Sequence, residues 1–330
     1  MALGAVAALG LSACGGGSNN SNNGGSGSST ASFNAGIDKV FNASDKKGGT
    51  VTMANAGDWD SLDTGETYYG YSWDFARNYS RALVMFKSAP GSGSDELVPD
   101  LASDLGKASD GGKTWTYTIR KGLKFDDGTP ITSKDVAYGV ERSTDKETFP
   151  NGPAYFDAML DWPSGWKGPY KSKGMDVSSA IETPDDSTIV FHLKTPFAGF
   201  DYLAQTPQTA PVPQAKDKGA QYKNSYVSTG PYKFSDMQPG KSFKLVRNDQ
   251  WDASTDPNRK ALPDEFDVSL NVNADDIDNR IMSGDLDLDV AGTGAQPAAL
   301  ARVLNDPALK ANTDNPTLAR LWYTSINPTV

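Results

Sequence analysis

Side chains able to do covalent or metal chemistry are scarce in this chain. One Cys (Cys14) and one His (His192) stand in 330 residues, too few for a Cys/His zinc site or an internal disulfide. His192 falls in the alternating stretch Thr188–Leu193, on the face opposite Ile189, Phe191 and Leu193, and reads as a structural side chain. Gly112-Lys113-Thr114 imitates the end of a phosphate loop, but the glycine such a loop needs would fall at 107, which is Lys, and Trp115 onward reads as strand rather than helix. There is no Gly-x-Ser-x-Gly nucleophile elbow. The pairs Asp126-Asp127 and Asp185-Asp186 lie in turns, where carboxylates cap backbone amides, and nothing in the sequence makes them converge as a glycosidase requires. The alternating Asp285, Asp287 and Asp289 follow Gly284, whereas a calcium loop has its glycine after the first acidic positions. No catalytic residue and no cofactor or metal site is expected.

Aromatic residues carry more information. Tyr68, Tyr69, Tyr71, Trp73, Phe75, Tyr79 and Phe86 crowd one short segment, and Phe149, Tyr155, Phe156, Trp162, Trp166 and Tyr170 form a second cluster. Part of each is core. The remainder could wall a ligand, because Tyr and Trp combine apolar area with a polar tip and pockets are lined this way.

The elements that must position these groups can be read from periodicity. Thr50–Ala54 opens the folded part as a strand, and Thr114–Ile119 alternates with Trp115, Tyr117 and Ile119 on one face. Pro184-Asp185-Asp186 predicts a hairpin between Ile181 and Thr188–Leu193, and Gln238-Pro239-Gly240-Lys241 predicts another between Tyr232–Phe234 and Ser242–Val246. Thr132 followed by Asp135 has capping-box spacing for a helix that places Val136 and Val140 on one face. After Leu262 the pattern changes: alternating Phe266 to Val272, a helix over 275–283 with Ile277 and Ile281 inward and Gly284 at its end, then alternating Leu286, Leu288 and Val290. Strand, helix and strand in so short a span read as a parallel βαβ unit, hence an α/β lobe. A further helix runs from Pro297 through Leu304, and Leu321–Ile326 is strand-like.

Length suggests about two domains. The formal charge of −10 and a pI near 4.7 argue against nucleic acid as a partner, since phosphate neutralisation needs clustered Lys and Arg. Ala2–Leu11 is apolar but too short to span a bilayer; it fits the h-region of an export signal. The chain's single Cys follows directly in Leu11-Ser12-Ala13-Cys14, which resembles a bacterial lipobox with Cys14 as the acylated residue; no Lys or Arg precedes it, as a leader's basic n-region would require. Sixteen of the eighteen residues Gly15–Ser32 are Gly, Ser or Asn, so residues 15–47 are expected to be a flexible tether. The expected organisation is thus a leader over 1–14, a tether over 15–47 and a body from 48.

Within the body, several blocks together resemble family 5 of the extracellular solute-binding proteins, the receptors of dipeptide and oligopeptide ABC importers. These blocks are Gly48-Gly49-Thr50-Val51-Thr52 leading to Asp60-Ser61-Leu62-Asp63, then Leu97-Val98-Pro99-Asp100-Leu101-Ala102, then Gly122-Leu123-Lys124-Phe125-Asp126-Asp127-Gly128-Thr129-Pro130, and finally Thr229-Gly230-Pro231-Tyr232-Lys233-Phe234 with Arg247-Asn248. The resemblance implies a two-lobed α/β fold of the periplasmic-binding-protein type (class II). Lobe I would hold residues 48–262 with an inserted subdomain over about 83–211, and lobe II would begin over 263–330 and remain incomplete. The family's carboxylate for the ligand amine would then fall beyond the present chain. Carried over to this sequence, the loop after the first strand, Asp58, Trp59, Asp60 and Ser61, would face the cleft, joined by position and chemistry by Tyr69 and Trp73. Trp59 would stack on the ligand, and Asp60 or backbone groups would fix its polar ends. The implied partners are a peptide or other small solute, an ABC permease with a separate ATPase subunit, and a membrane reached through the lipid anchor. Relatives that take oligosaccharides or metal complexes, a tethered surface hydrolase, and a surface sensor are the alternatives.

Overall fold

A computed structural model describes residue 40 and residues 43–313. The leader, Cys14, most of the tether and the strand-like Leu321–Ile326 lie outside the described residues.

The elements are β1 (Thr50–Ala54), α1 (Gly70–Ala76), β2 (Val84–Phe86), β3 (Leu97–Pro99), β4 (Lys107–Ser109), β5 (Thr114–Thr118), α2 (Ser133–Ser143), α3 (Tyr155–Met159), β6 (Ile181–Asp185) and β7 (Thr188–His192). They continue with α4 (Asp201–Ala204), β8 (Tyr232–Gln238), β9 (Ser242–Arg247), β10 (Glu265–Ser269), α5 (Ala274–Ser283), β11 (Leu288–Asp289), α6 (Pro297–Asn305) and α7 (Pro307–Ala311). Five strands form the main sheet in the order β11-β1-β10-β9-β8, four form a second sheet in the order β4-β5-β7-β6, and β2 pairs with β3 alone.

In the main sheet β1 runs parallel to both β10 and β11, while β10-β9-β8 is an antiparallel meander. β1 sits between two parallel neighbours, which is why its last residues, Met53 and Ala54, are buried although they point to opposite faces. In β10 the buried Phe266 and Val268 alternate with Glu265 and Asp267, and both acids reach Lys244 of β9, at 3.1 and 2.7 Å. The β8–β9 turn uses Gly240 at φ +70°, a conformation costly for any residue with a Cβ.

The change of pattern at residue 263 coincides with the chain's return to parallel pairing with β1. β10, α5 and β11 join the sheet that β1 opens, with β10 and β11 on either side of β1. Periodicity reports that a parallel strand exists, not which sheet accepts it. The helix itself follows its signals: the Asn273 side chain accepts from the backbone amides of Asp275 and Asp276, and Gly284 ends it at φ +83°. Of the two residues expected inward, Ile277 packs against Ala54 and Leu286, whereas Ile281 is exposed. Leu288 is likewise exposed, because β11 is only two residues long.

Both smaller sheets lie within residues 84–192, yet they share one continuous core with the main sheet. Trp115, Tyr117 and Ile119 point inward as their alternation requires. Thr132 and Asp135 form the expected capping box on α2. Two buried ionic clusters join residues 83–211 to residues before and after them. Arg142 of α2 is fully buried, donates to Asp63 at 2.6 and 2.9 Å and to Asp217 at 3.0 Å, and lies over the rings of Phe149 and Tyr222. Asp100 accepts from Arg81 and Arg259, each at 2.7 Å, and Arg259 also reaches Asp256 at 2.9 Å. Buried charges persist only when paired in this way.

Candidate functional site

In open α/β sheets, ligands settle outside the carboxyl ends of the parallel strands. Here β1, β10 and β11 end at one edge, and the β8–β9 turn reaches the same edge because Ser242 pairs with Ser269. Two asparagines tie the loops there together. Asn55, just past β1, donates its amide to the Ser269 carbonyl (2.9 Å), accepts from Val272 N (3.1 Å) and sends Nδ2 to the Asp58 carbonyl (3.3 Å). Asn271, just past β10, donates its amide to the Gly57 carbonyl (3.0 Å) and Nδ2 to the Gly240 carbonyl (2.8 Å). Its φ of +55° suits Asn better than other residues with a side chain.

On this frame sits the loop that the sequence singles out. Trp59 is 8% exposed, and its ring meets Tyr71, Phe75 and Phe243 edge-on at 5.2, 5.2 and 5.0 Å between centroids. Its Nε1 is buried without an acceptor among the described residues. Trp59 thus anchors the loop in the core instead of offering a free face for stacking. Asp60 spends both oxygens inside the loop. Oδ2 accepts from Thr67 Oγ1 (2.9 Å) and from the amides of Tyr68 (2.6 Å) and Tyr69 (3.1 Å), and Oδ1 accepts from Ser72 Oγ (2.5 Å). It folds residues 60–72 into the turn that starts α1. Ser61 donates to the buried Glu66 (2.8 Å), which is also 3.6 Å from Lys223 Nζ.

Asp58 stands apart: it is exposed, its Oδ1 accepts the Trp59 amide (2.8 Å), and its Oδ2 receives no hydrogen bond among the described residues. Asp58, Trp59, Asp60 and Ser61 together line a cavity of about 110 Å³ that is closed on its far side by the β8–β9 turn and Leu270. Tyr69 is 55% exposed, tilted against Tyr71 at 5.7 Å. Burial pushes the Tyr71 hydroxyl above the ordinary tyrosine range, so it stays protonated near neutrality. Trp73 is not brought into this cavity. It donates to the Thr67 carbonyl (2.9 Å) and lines a separate one of about 290 Å³ between α1 and β2. Asn55, Lys223, Gln238, Gly240 and Asn271 were not among the sequence-derived candidates. An asparagine one or two residues past β1 and β10 is the signal that could have flagged Asn55 and Asn271.

The other chemically suggestive groups stay apart from this site. His192 contacts Glu182 (2.8 Å) and Thr114 (3.4 Å) on the second sheet. Asp126 accepts the Ser228 amide, and Asp185 holds its own hairpin turn through Ser187 and Thr188.

A mixed sheet whose parallel strands end beside a braced, aromatic and acidic loop is the frame of a binding protein. The chain belongs to the bacterial extracellular solute-binding proteins of family 5, whose middle-region model matches residues 96–329. Its fold is that of the class II periplasmic binding proteins. The solved structure of the clavulanic acid biosynthesis oligopeptide binding protein 2 superposes with a TM-score of 0.82 and 40% identity, over 86% of this chain and 51% of that one. The probable D,D-dipeptide-binding periplasmic protein DdpA of Escherichia coli is 27% identical over 248 residues, which cover 73% of this chain and 42% of that protein. The oligopeptide-binding protein OppA of Bacillus subtilis is 29% identical over 158 residues, 46% of this chain and 28% of the relative. The chain therefore spans about half or less of the length of the proteins it matches.

Proposed function

We propose that this chain is the solute-binding part of a receptor that captures peptides outside the cytoplasmic membrane and hands them, unaltered, to an ABC permease driven by a separate ATPase subunit. The observation that carries the reading is the edge where β1, β10 and β11 end, with Asp58, Trp59, Asp60 and Ser61 lining a cavity beside it, in a chain of a solute-binding family. Relatives named for dipeptides and oligopeptides support peptides as the solute class. A cavity of about 110 Å³ is well below the 300–1,000 Å³ typical of ligand pockets, which fits one wall of a cleft completed by a second lobe. The main sheet extends to Asp289, so we place the lobe boundary after that residue and the inserted subdomain over about 83–211. Cys14 would carry the lipid, residues 15–47 would give the body its reach, and two or more acyl chains would make the anchoring stable.

In this reading Asp60, Trp59 and Ser61 hold the wall in shape, while Asp58 at its rim and the exposed Tyr69 nearby face the ligand. Closure of a second lobe would add the contacts that favour the bound state. The test is mass spectrometry of ligand co-purified with the native protein, followed by calorimetric titration. Peptides recovered intact and rebinding reversibly are the expected result. Recovery of an oligosaccharide or metal complex alone would move the receptor to another solute class, and turnover of the ligand would replace it with an enzyme.

A further inference from the structure

We propose that the cavity beside Trp59 is a subsite for a cationic ligand side chain: an unbranched aliphatic stem ending in an ammonium, as in a lysyl residue. The inference deepens the peptide-receptor reading and rests on it for the identity of the whole ligand. Three observations converge. The first is shape and lining. Trp59, Met237, Phe243 and Leu270 supply apolar walls, and about 110 Å³ is room for roughly four atoms of water size at about 30 Å³ each, close to a lysyl stem.

The second is charge. Among the acids on or directly behind this wall, Asp60 is spent on its own loop, and Glu66 is held by Ser61 and Lys223. Asp58 keeps Oδ2 without a partner among the described residues at the exposed rim, whereas Glu66, whose Oε1 is likewise without one, is buried behind the wall. Lys223, the one cation lining the cavity, already faces Glu66. Three carboxylates against one ammonium leave the wall negative, so a ligand cation is favoured over an anion. The third is access. Gly240 stands opposite, and a Cβ built there would lie 3.8 Å from Asp58 Oδ2, so glycine leaves that oxygen uncovered. An ammonium whose stem fills the cavity would meet Asp58 at the rim in a charge-assisted hydrogen bond, which is stronger than a neutral one.

The test titrates the native protein with pairs of tetrapeptides that differ only by lysine or norleucine at one position, each position in turn, and repeats the series on Asp58→Asn. Asparagine keeps Oδ1, the atom that accepts the Trp59 amide, so the loop brace survives. The expected result is one position at which lysine binds about tenfold or more tighter than norleucine, with the ratio falling to about one in the variant. In parallel, n-butylammonium and 1-butanol are added while the Trp59 indole N–H resonance is followed by NMR. The ammonium should shift it in the native protein and not in Asp58→Asn. Tetrapeptides that bind without a lysine preference, or with one that survives in Asp58→Asn, would overturn the subsite and leave the peptide receptor standing. Absence of any peptide binding while butylammonium still moves the Trp59 signal would keep the subsite and overturn the peptide reading. Silence in both experiments would overturn both.

Discussion

Trp59 and Tyr69 both contact Tyr71 yet carry opposite duties. Trp59 is packed on three aromatic rings, so Trp59→Ala should lower stability by about 3–5 kcal/mol in urea unfolding, and any loss of affinity would be secondary to that. Tyr69→Ala, at a side chain more than half exposed, should leave stability within about 0.5 kcal/mol while weakening peptide binding in titration. A Trp59→Ala protein of native stability would show that the ring is not a core member. The aromatic crowding between Tyr68 and Phe86 was visible in the sequence, but its division into core and wall was not. Within it Phe75 meets Phe243, a partner far away in sequence, whereas Tyr69 stays exposed.

Titratable groups give a second residue-scale expectation. Burial pushes Glu141 up to about 7 from an ordinary 4.5, and burial also raises Asp126. A folded state that holds a proton the unfolded chain has released loses stability as pH rises, here from about 4.5 to about 7. Asp100 and Asp217 act in the opposite sense. Burial works to raise both, but Arg259 and Arg81 beside Asp100, and Arg142 with Tyr170 and Tyr138 beside Asp217, hold them below the usual carboxylate range. Their contribution is complete above the unfolded value near 4 and is lost as pH falls through the lower folded values. Stability should therefore climb as pH drops from 8 toward 5 and collapse below about 4. Glu141→Gln should flatten the upper limb and gain about 1–3 kcal/mol at pH 8, with the acid limb unchanged. An unaltered upper limb in that variant would reject the assignment.

At the scale of elements, α2 shows why local rules are not the whole story. Gly139 sits inside the helix, where alanine would ordinarily gain about 1 kcal/mol in propensity. A Cβ at 139 would lie 2.3 Å from the Ala210 carbonyl oxygen, so the backbones must touch. Gly139→Ala should therefore destabilise by about 1–3 kcal/mol, read as a lower urea midpoint with an unchanged slope. The helix start at Thr132, the Gly284 stop, both hairpins and the inward face of β5 were all legible because capping, turn and alternation signals are local. The destination of β10 and β11 was not, because edge and partner of a parallel strand are chosen by contacts more than two hundred residues apart. The same reason hid Asn55 and Asn271, whose value lies in which loops they join. The resemblance blocks point to the loop after β1 and offer Asp60 or backbone groups to the ligand, and the structure turns both Asp60 oxygens into that loop.

Across the described residues, the segment 83–211 and the main sheet share a core, and two buried ionic clusters tie that segment to the rest: Arg142 with Asp63 and Asp217, and Arg81 and Arg259 with Asp100. Removing one partner of such a cluster strands a buried charge, so Arg142→Ala should cost about 3–5 kcal/mol. Native-state hydrogen exchange should find the amides of β5 and β7 and those of β9 and β10 protected to the same global free energy. The receptor reading also lives at this scale, since a cleft needs a wall that keeps its shape while another part moves against it. Equilibrating the native protein with a mixed peptide library, washing, and identifying what stays bound by mass spectrometry puts that reading to the proof. Retention of peptides with every bond intact, released again on unfolding, is the expected outcome; a protein that retains none, or returns only cleaved fragments, is not the receptor described here.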